Sequence, residues 1–265
     1  MKIGLTQFRT VWEDVGASMD AAAELFSEAA AQGIDVLVFP EFTLTGFTLR
    51  PRTFCDTSAR PRMVEFFRRK SAECGVAAVF GYIQEDGGQE RPLNKLAVVR
   101  DGEVVLDYAK VHSYSFGRED RFYSRGASVS AAELFGMNAS ALICFDLRFP
   151  EIFQEAARRS DIIFVIANWP ADRLENWYTL LRARALETQC YIAGANRAGT
   201  GGGVDYAPSS VAFGPDGARL TDGCAGGLVV FEAEKEVVDG VRASFPLRAD
   251  RRDALYADWY GGGTA

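Results

Sequence analysis

The sequence predicts a layered α/β domain, on three observations: short apolar runs rich in branched residues, stretches of helical length between them, and no composition break that divides the chain. In order, the strand-like runs are Ile3–Phe8, Val36–Phe39, Val76–Tyr82, Leu96–Val99, Ala141–Cys144, Ile162–Ala167 and Tyr191–Ala195, with a late strand at Leu228–Phe231. Helices are predicted over Met19–Gln32, where Ala, Leu and Phe gather on one side, and from Pro61 through Cys74, because proline suits a first helical turn. Two more are predicted over Glu151–Ser160 and Asn176–Thr188. Gly87–Gly88, Gly102 and Gly214–Pro215–Asp216–Gly217 predict turns, and Gly199–Gly203 a flexible connection. Residues 1–265 read as one domain, with a mobile tail at 261–265.

A chain of 265 residues buries a substantial core, and its net charge of −7 supplies no overall field for nucleic acid. No apolar run is long enough to span a membrane, and residues 1–30 lack the basic, apolar and small-residue order of a secretory signal. Five cysteines, Cys55, Cys74, Cys144, Cys190 and Cys224, are widely spaced and form no close metal-binding pairs. Such usage suits a reducing compartment, so a cytoplasmic location is expected.

Three strand ends carry complementary chemistry. In ASALICFDLRFPE an apolar run ends at Cys144, and a turn there would expose sulfur while aiming backbone N–H groups at a developing oxyanion. Glu41 follows Val36–Phe39 and Pro40, which places a carboxylate at the mouth of a strand. Lys110 ends VVLDYAK. Read singly, each has a plainer explanation: a buried cysteine is commonly a small hydrophobe, and most glutamates and lysines are solvated. Together they describe a nucleophile, a proton-transfer base and an electrostatic partner.

FPEFTLTG around Glu41, YAKVHSYSFGREDRFYSRG after Tyr108 and ICFDLRFPE around Cys144 resemble the three catalytic segments of the nitrilase superfamily of carbon–nitrogen hydrolases. The resemblance continues through ANWP, WYTLLRARALETQCYIAGANRAG and the Tyr206–Gly217 region to FPLRADRRD, and within the superfamily it is strongest to the small omega-amidase branch. It implies a four-layer α-β-β-α sandwich and a catalytic triad at Glu41, Lys110 and Cys144, with Glu119 as an additional active-site carboxylate. By that resemblance Glu41 accepts the Cys144 proton, and the Phe145 N–H and Lys110 ammonium stabilise the oxyanion. Water then hydrolyses the thioester. Glu41 must both accept and donate a proton, a task that partial desolvation would serve by raising its pKa, and the sequence does not establish that shift. No metal or organic cofactor is implied, and self-association is expected, a dimer at minimum, with Phe245–Asp258 a candidate for packing or dimer contacts.

Around the three, Trp169 is expected as a pocket wall or core residue, and Arg148 as a partner of Asp146 or another acidic group near the nucleophile turn. Arg173 is a candidate partner for a substrate carboxylate, or a solvated residue of the Pro170–Glu175 connection. His112, the sole histidine, is expected to order the Lys110 loop, since one histidine leaves a zinc site without enough ligands. Gly199–Gly203 lacks the GK[ST] ending of a phosphate-binding loop and reads as a turn with a pocket role, and the basic clusters Arg68–Lys70 and Arg158–Arg159 sit on helices without an aromatic platform for nucleic acid. The sequence departs from the family at Ala109, where many relatives carry arginine, and at Pro208–Ser209, where the branch usually places glycine. The expected substrate is a small 2-oxo acid omega-amide such as 2-oxoglutaramate or 2-oxosuccinamate. N-carbamoyl compounds, deaminated glutathione and a binding-only paralogue are the alternatives, with nitriles less favoured.

Overall fold

In the computed structural model, which describes residues 1–57, 59–60, 62–85, 91–221 and 227–262, two sheets stack face to face with helices on both outer faces. The first half of the chain runs β1 (Lys2–Thr6), α1 (Val15–Ala31), β2 (Val36–Val38), α2 (Pro51–Phe54), α3 (Arg62–Cys74), β3 (Ala77–Gln84), β4 (Leu93–Arg100) and β5 (Glu103–Ala109). There follow α4 (Glu119–Phe122), β6 (Ala131–Leu134), β7 (Met137–Ile143), α5 (Pro150–Ala157), β8 (Ile162–Ala167), α6 (Leu174–Thr188) and β9 (Tyr191–Asn196). The chain ends in β10 (Gly199–Gly201), β11 (Val204–Tyr206), β12 (Val211–Phe213), β13 (Leu228–Glu232), α7 (Lys235–Ser244) and α8 (Asp253–Gly261).

Each large sheet has the same plan. In the order β13-β1-β2-β3-β4-β5, the strands β1, β2 and β3 are parallel, and α1 and α3 cross between them. In the order β12-β9-β8-β7-β6, the strands β7, β8 and β9 are parallel, and α5 and α6 cross between them. Antiparallel strands close every edge, and β10–β11 forms a separate hairpin. Parallel neighbours need a covering crossover, which is why helices lie outside both sheets and the sheets meet each other inside.

The period of two in a strand divides the first sheet's side chains between two cores. Leu37, Ala78, Phe80, Ala97 and Val99 pack with Phe26 and Phe67 under α1 and α3. Their neighbours Val36, Val38, Ala77, Val79, Leu96 and Val98 pack instead against the second sheet. All are buried, so these strands read as continuous apolar runs. The expected α-β-β-α sandwich is the observed architecture.

Helix bounds differ from the sequence expectation at several places. α1 begins four residues early, at Val15, because the Asp14 carboxylate caps it by accepting the Ala17 N–H at 3.0 Å. α5 closes at Ala157 rather than Ser160, and Gly261, expected in the mobile tail, is the last residue of α8. Gly102 does turn the β4–β5 hairpin, with Asp101 and Gly102 both at positive φ. Gly199–Gly203 is not a flexible connection: Gly199–Gly201 is strand β10 and Gly202–Gly203 make the turn into β11, in keeping with the expected turn. Pro61, Gly87–Gly88, Cys224 and residues 263–265 lie outside the described residues. Among the described residues no helix is long and apolar enough to cross a membrane.

Candidate active site

The chemistry gathers where strands end. Glu41 lies three residues past β2, Lys110 directly follows β5, Cys144 directly follows β7 and Asn168 directly follows β8. The Glu41 turn is stapled to β3: the Thr43 hydroxyl donates to the Pro40 carbonyl at 2.6 Å, accepts the Gly81 N–H at 3.0 Å, and the Thr43 N–H donates to the Gly81 carbonyl at 3.0 Å. Gly81 makes the approach feasible, since a Cβ there would lie 2.5 Å from the Phe42 nitrogen and 2.8 Å from the Glu41 Cα.

Cys144 has φ +46°, a left-handed conformation rare outside glycine, at the sharp passage from strand to helical turn. Asp146 holds that passage together. Its Oδ2 accepts the Ile143 N–H at 3.0 Å and the Tyr108 hydroxyl at 2.7 Å, and its Oδ1 accepts the His112 N–H at 3.0 Å and lies 2.9 Å from His112 Nδ1. The His112 ring also stacks on Phe149 at 3.8 Å. His112 therefore ties the Lys110 loop to the nucleophile turn, as its position suggested.

Lys110 Nζ lies 2.9 Å from Glu41 Oε1 and 2.9 and 3.1 Å from the two oxygens of Glu119, and all three residues are buried. Asn94 Nδ2 donates to Glu41 Oε1 and Glu119 Oε1, each at 2.8 Å. Glu41 Oε2 accepts the Asn168 N–H at 3.0 Å, and Glu119 Oε2 accepts the Tyr114 N–H at 2.7 Å. Burial acts to raise the Glu41 pKa, but the Lys110 ammonium with the Asn94 and Asn168 donors outweighs it, so the carboxyl sits below its ordinary value. The rise that desolvation alone would give Glu41 is therefore reversed by its donors. Burial pushes Glu119 up against the pull of Lys110, and the Glu41 charge adds to the rise. Burial and the Glu41 carboxylate hold the Cys144 thiol well above the usual thiol range, against Lys110. Lys110 loses stability as an ammonium through burial, yet Glu119 and Glu41 keep it firmly protonated. The resting pair is a neutral thiol beside an ionised carboxylate.

Glu41, Lys110 and Cys144 line one cavity of about 630 Å³. Phe145, Arg148, Trp169 and Arg173 line it too. Trp169 is a buried wall residue whose Nε1 donates to the Arg173 carbonyl at 2.9 Å. Arg148 does not pair with Asp146, whose oxygens are already occupied by donors from Ile143, Tyr108 and His112; its guanidinium lies 4.9 Å from the centre of the Trp169 ring. Arg173 donates to the Tyr114 hydroxyl at 2.8 Å, with Asp172 at 3.8 Å. Hairpin β10–β11 adds Val204, Asp205 and Tyr206 to the lining, and the fully buried Arg197 lies 4.8 Å from the Tyr206 ring centre. Of the departures, Ala109 faces Gly126 closely enough that a Cβ there would meet its carbonyl at 2.1 Å. Ser209 accepts the Asn196 amide at 2.8 Å behind Trp169, and nothing in the structure explains Pro208.

Sequence reasoning missed Asn94, Asn168 and Tyr114. Asn168 was within reach, since it stands in ANWP directly after an apolar strand, the same position that marks Cys144. Asn94 gave no such signal, because it lies inside a strand.

Comparison with known proteins bears on this site. A family model for carbon–nitrogen hydrolases matches residues 2–229. The chain is 31% identical over 237 residues to a 2-oxoglutaramate amidase of Bacillus subtilis (strain 168), covering 88% of this chain and 91% of that protein. It is 31% identical over 258 residues to an omega-amidase of Escherichia coli (strain K12), covering 94% and 96%. Among solved structures, a CN-hydrolase superfamily protein from Xanthomonas campestris with an arsenic adduct in its active site superposes with a TM-score of 0.87 at 27% identity, over 95% of this chain and 97% of that one. An amidase variant from Nesterenkonia sp. AN1, showing Michael addition of acrylamide at the active-site cysteine, superposes at 0.84 with 27% identity, over 98% and 99%.

Proposed function

Because the chain belongs to the carbon–nitrogen hydrolase family, we propose that it hydrolyses the omega-amide of a small 2-oxo acid to carboxylate and ammonia through a Cys144 thioester. The observation that carries the substrate class is Arg148. It lines the same cavity as Cys144, and among the described residues no carboxylate pairs with it, which leaves a cation to receive an acid group beyond the amide. Arg173 is a second cation lining the cavity. The names of the amidase relatives agree with a substrate that carries both groups.

In the proposed reaction the Cys144 sulfur attacks the amide carbon as its proton passes to Glu41, and the carbonyl electron pair moves onto oxygen. A neutral thiol beside an ionised Glu41 suits this coupled transfer. Lys110 and the Phe145 N–H stabilise the oxyanion, Lys110 by relaxing part of its hold on Glu119. The C–N bond then breaks, Glu41 protonates the departing nitrogen, and ammonia leaves a thioester. Water attacks that carbonyl as Glu41 takes its proton, and when the C–S bond breaks Glu41 passes that proton to sulfur, which restores the thiol and the carboxylate. Arg148 positions the substrate and takes no part in bond changes.

Ammonia release from 2-oxoglutaramate and 2-oxosuccinamate tests the reading, with Cys144→Ala expected to lower the rate on the order of 10⁴-fold or more. Equal turnover of acid-bearing amides and their neutral analogues would remove the argument from Arg148. Turnover of N-carbamoyl compounds alone would move the substrate class while leaving the thioester chemistry intact.

A further inference from the structure

We propose that Asn94 is a positioning residue that clamps Glu41 and Glu119 into one unit and keeps Glu41 able to accept the Cys144 proton. The inference rests on the Cys144–Glu41 chemistry above, but not on which amide is the substrate.

Two oxygens, Glu41 Oε1 and Glu119 Oε1, are bridged twice. Lys110 Nζ bridges them at 2.9 and 3.1 Å, and Asn94 Nδ2 bridges them at 2.8 Å on both sides. The Asn94 backbone carbonyl also accepts the Lys110 N–H at 2.9 Å. One neutral residue on β4 therefore bonds both carboxylates and the backbone of the lysine between them. Among the described residues, Lys110 and Asn94 are the side chains that donate to both carboxylates.

Charge balance shows why this donor matters. Two carboxylates face a single ammonium in a buried site, so neutral donors must support the charge that Lys110 does not neutralise. Asn168 supports Glu41 alone and the Tyr114 N–H supports Glu119 alone, whereas Asn94 uses both amide hydrogens on the pair. The other titratable groups that feel the pair are Cys144, Tyr123 and Tyr206, and each is held neutral, so none adds a positive charge to balance the second carboxylate. The orientation of the amide follows from the same network: turned over, Oδ1 would face two acceptor oxygens. As it stands, Oδ1 is buried without a partner, a cost that the two charge-assisted bonds offset.

The test follows Cys144 alkylation by iodoacetamide as a function of pH in the full chain, reading the Cys144 peptide by mass spectrometry with Cys55 and Cys74 as internal references. Asn94→Asp and Asn94→Ala are compared with wild type, after thermal melting confirms folding. The acid limb should move up by about one to two pH units, about ten- to a hundredfold less ionised Glu41 at a fixed pH below it, and further in Asp than in Ala. If Asn94→Asp does not fold, Asn94→Ala still decides. A uniformly slower reaction with the limb unmoved would overturn the proposal, since a merely structural asparagine lowers rate without altering the profile. Failure on 2-oxo acid amides with a shifted alkylation limb would count against the substrate reading alone.

Discussion

At the scale of single residues, the site separates proton affinity from reactivity. Glu41 is ionised because donors surround it, and Cys144 stays protonated because burial and Glu41 oppose a thiolate. The folded Glu41 pKa lies below the unfolded value of about 4.3, so its contribution to stability is present above that pH and is lost as pH falls through the folded value. Glu119 has the opposite sign: its folded pKa is raised, so its contribution is present below about 4.3 and is lost as pH rises through the folded value. The acid limb of kcat/KM is accordingly expected below the ordinary carboxyl value of 4.5. A limb near neutrality in a folded enzyme would show that Glu41 is not held as the hydrogen bonds imply. Arg148→Met is expected to raise KM about tenfold for an acid-bearing amide and leave its neutral analogue nearly unchanged, because only the former would lose an ion pair. Competition between the two substrates reads this directly.

At the scale of elements, the reacting groups stand at strand ends because a strand anchored in a packed sheet leaves its last residue little freedom. Glu41, Cys144 and Asn168 leave the parallel strands β2, β7 and β8 at their carboxyl ends, and Lys110 leaves β5 beside them. The Glu41 turn depends on its contact with β3. Gly81→Ala would place a methyl group against backbone atoms of Phe42 and Glu41, which cannot move aside as a flexible side chain can. An activity loss of about tenfold or more is expected even where the protein melts within a few degrees of wild type. Unchanged turnover would show that the turn tolerates displacement of Glu41. The hairpin β10–β11 illustrates the opposite case, where a glycine-rich segment became a wall because Arg197 is seated beneath Tyr206.

At the scale of the whole molecule, the two sheets hold the site from opposite sides: Glu41 and Lys110 come from the first, Cys144 and Asn168 from the second. Rigidity of that stack is therefore a condition for geometry at Cys144. Phe67 is fully buried between α3 and the first sheet, stacked on Phe80 at 3.9 Å and edge-on to Phe39 at 5.3 Å. Phe67→Ala is expected to cost about 3–5 kcal/mol of stability by chemical denaturation, through lost burial and a residual cavity. A loss under about 1 kcal/mol would show that the helical layer collapses readily onto the sheet. The expected self-association bears on Phe245, Trp259 and Tyr260, which are strongly exposed near the C-terminal end. Sedimentation velocity at two concentrations should give at least twice the mass of one chain.

The sequence by itself determined the layered α/β class, because apolar strands and intervening helices follow from local periodicity. Strand-end position made Glu41, Lys110 and Cys144 candidates, and the resemblance of their three segments to the nitrilase superfamily joined them as a triad. Tertiary structure alone decided the network around them. Asn94 meets Glu41 across 53 positions of chain and Glu119 across 25, and from sequence it reads as a polar residue within a strand. The same holds for Arg148, drawn over Trp169 because Tyr108 and His112 already satisfy Asp146. The direction of the Glu41 shift was equally out of reach, because burial and donors act in opposite senses and only their positions in space settle the balance.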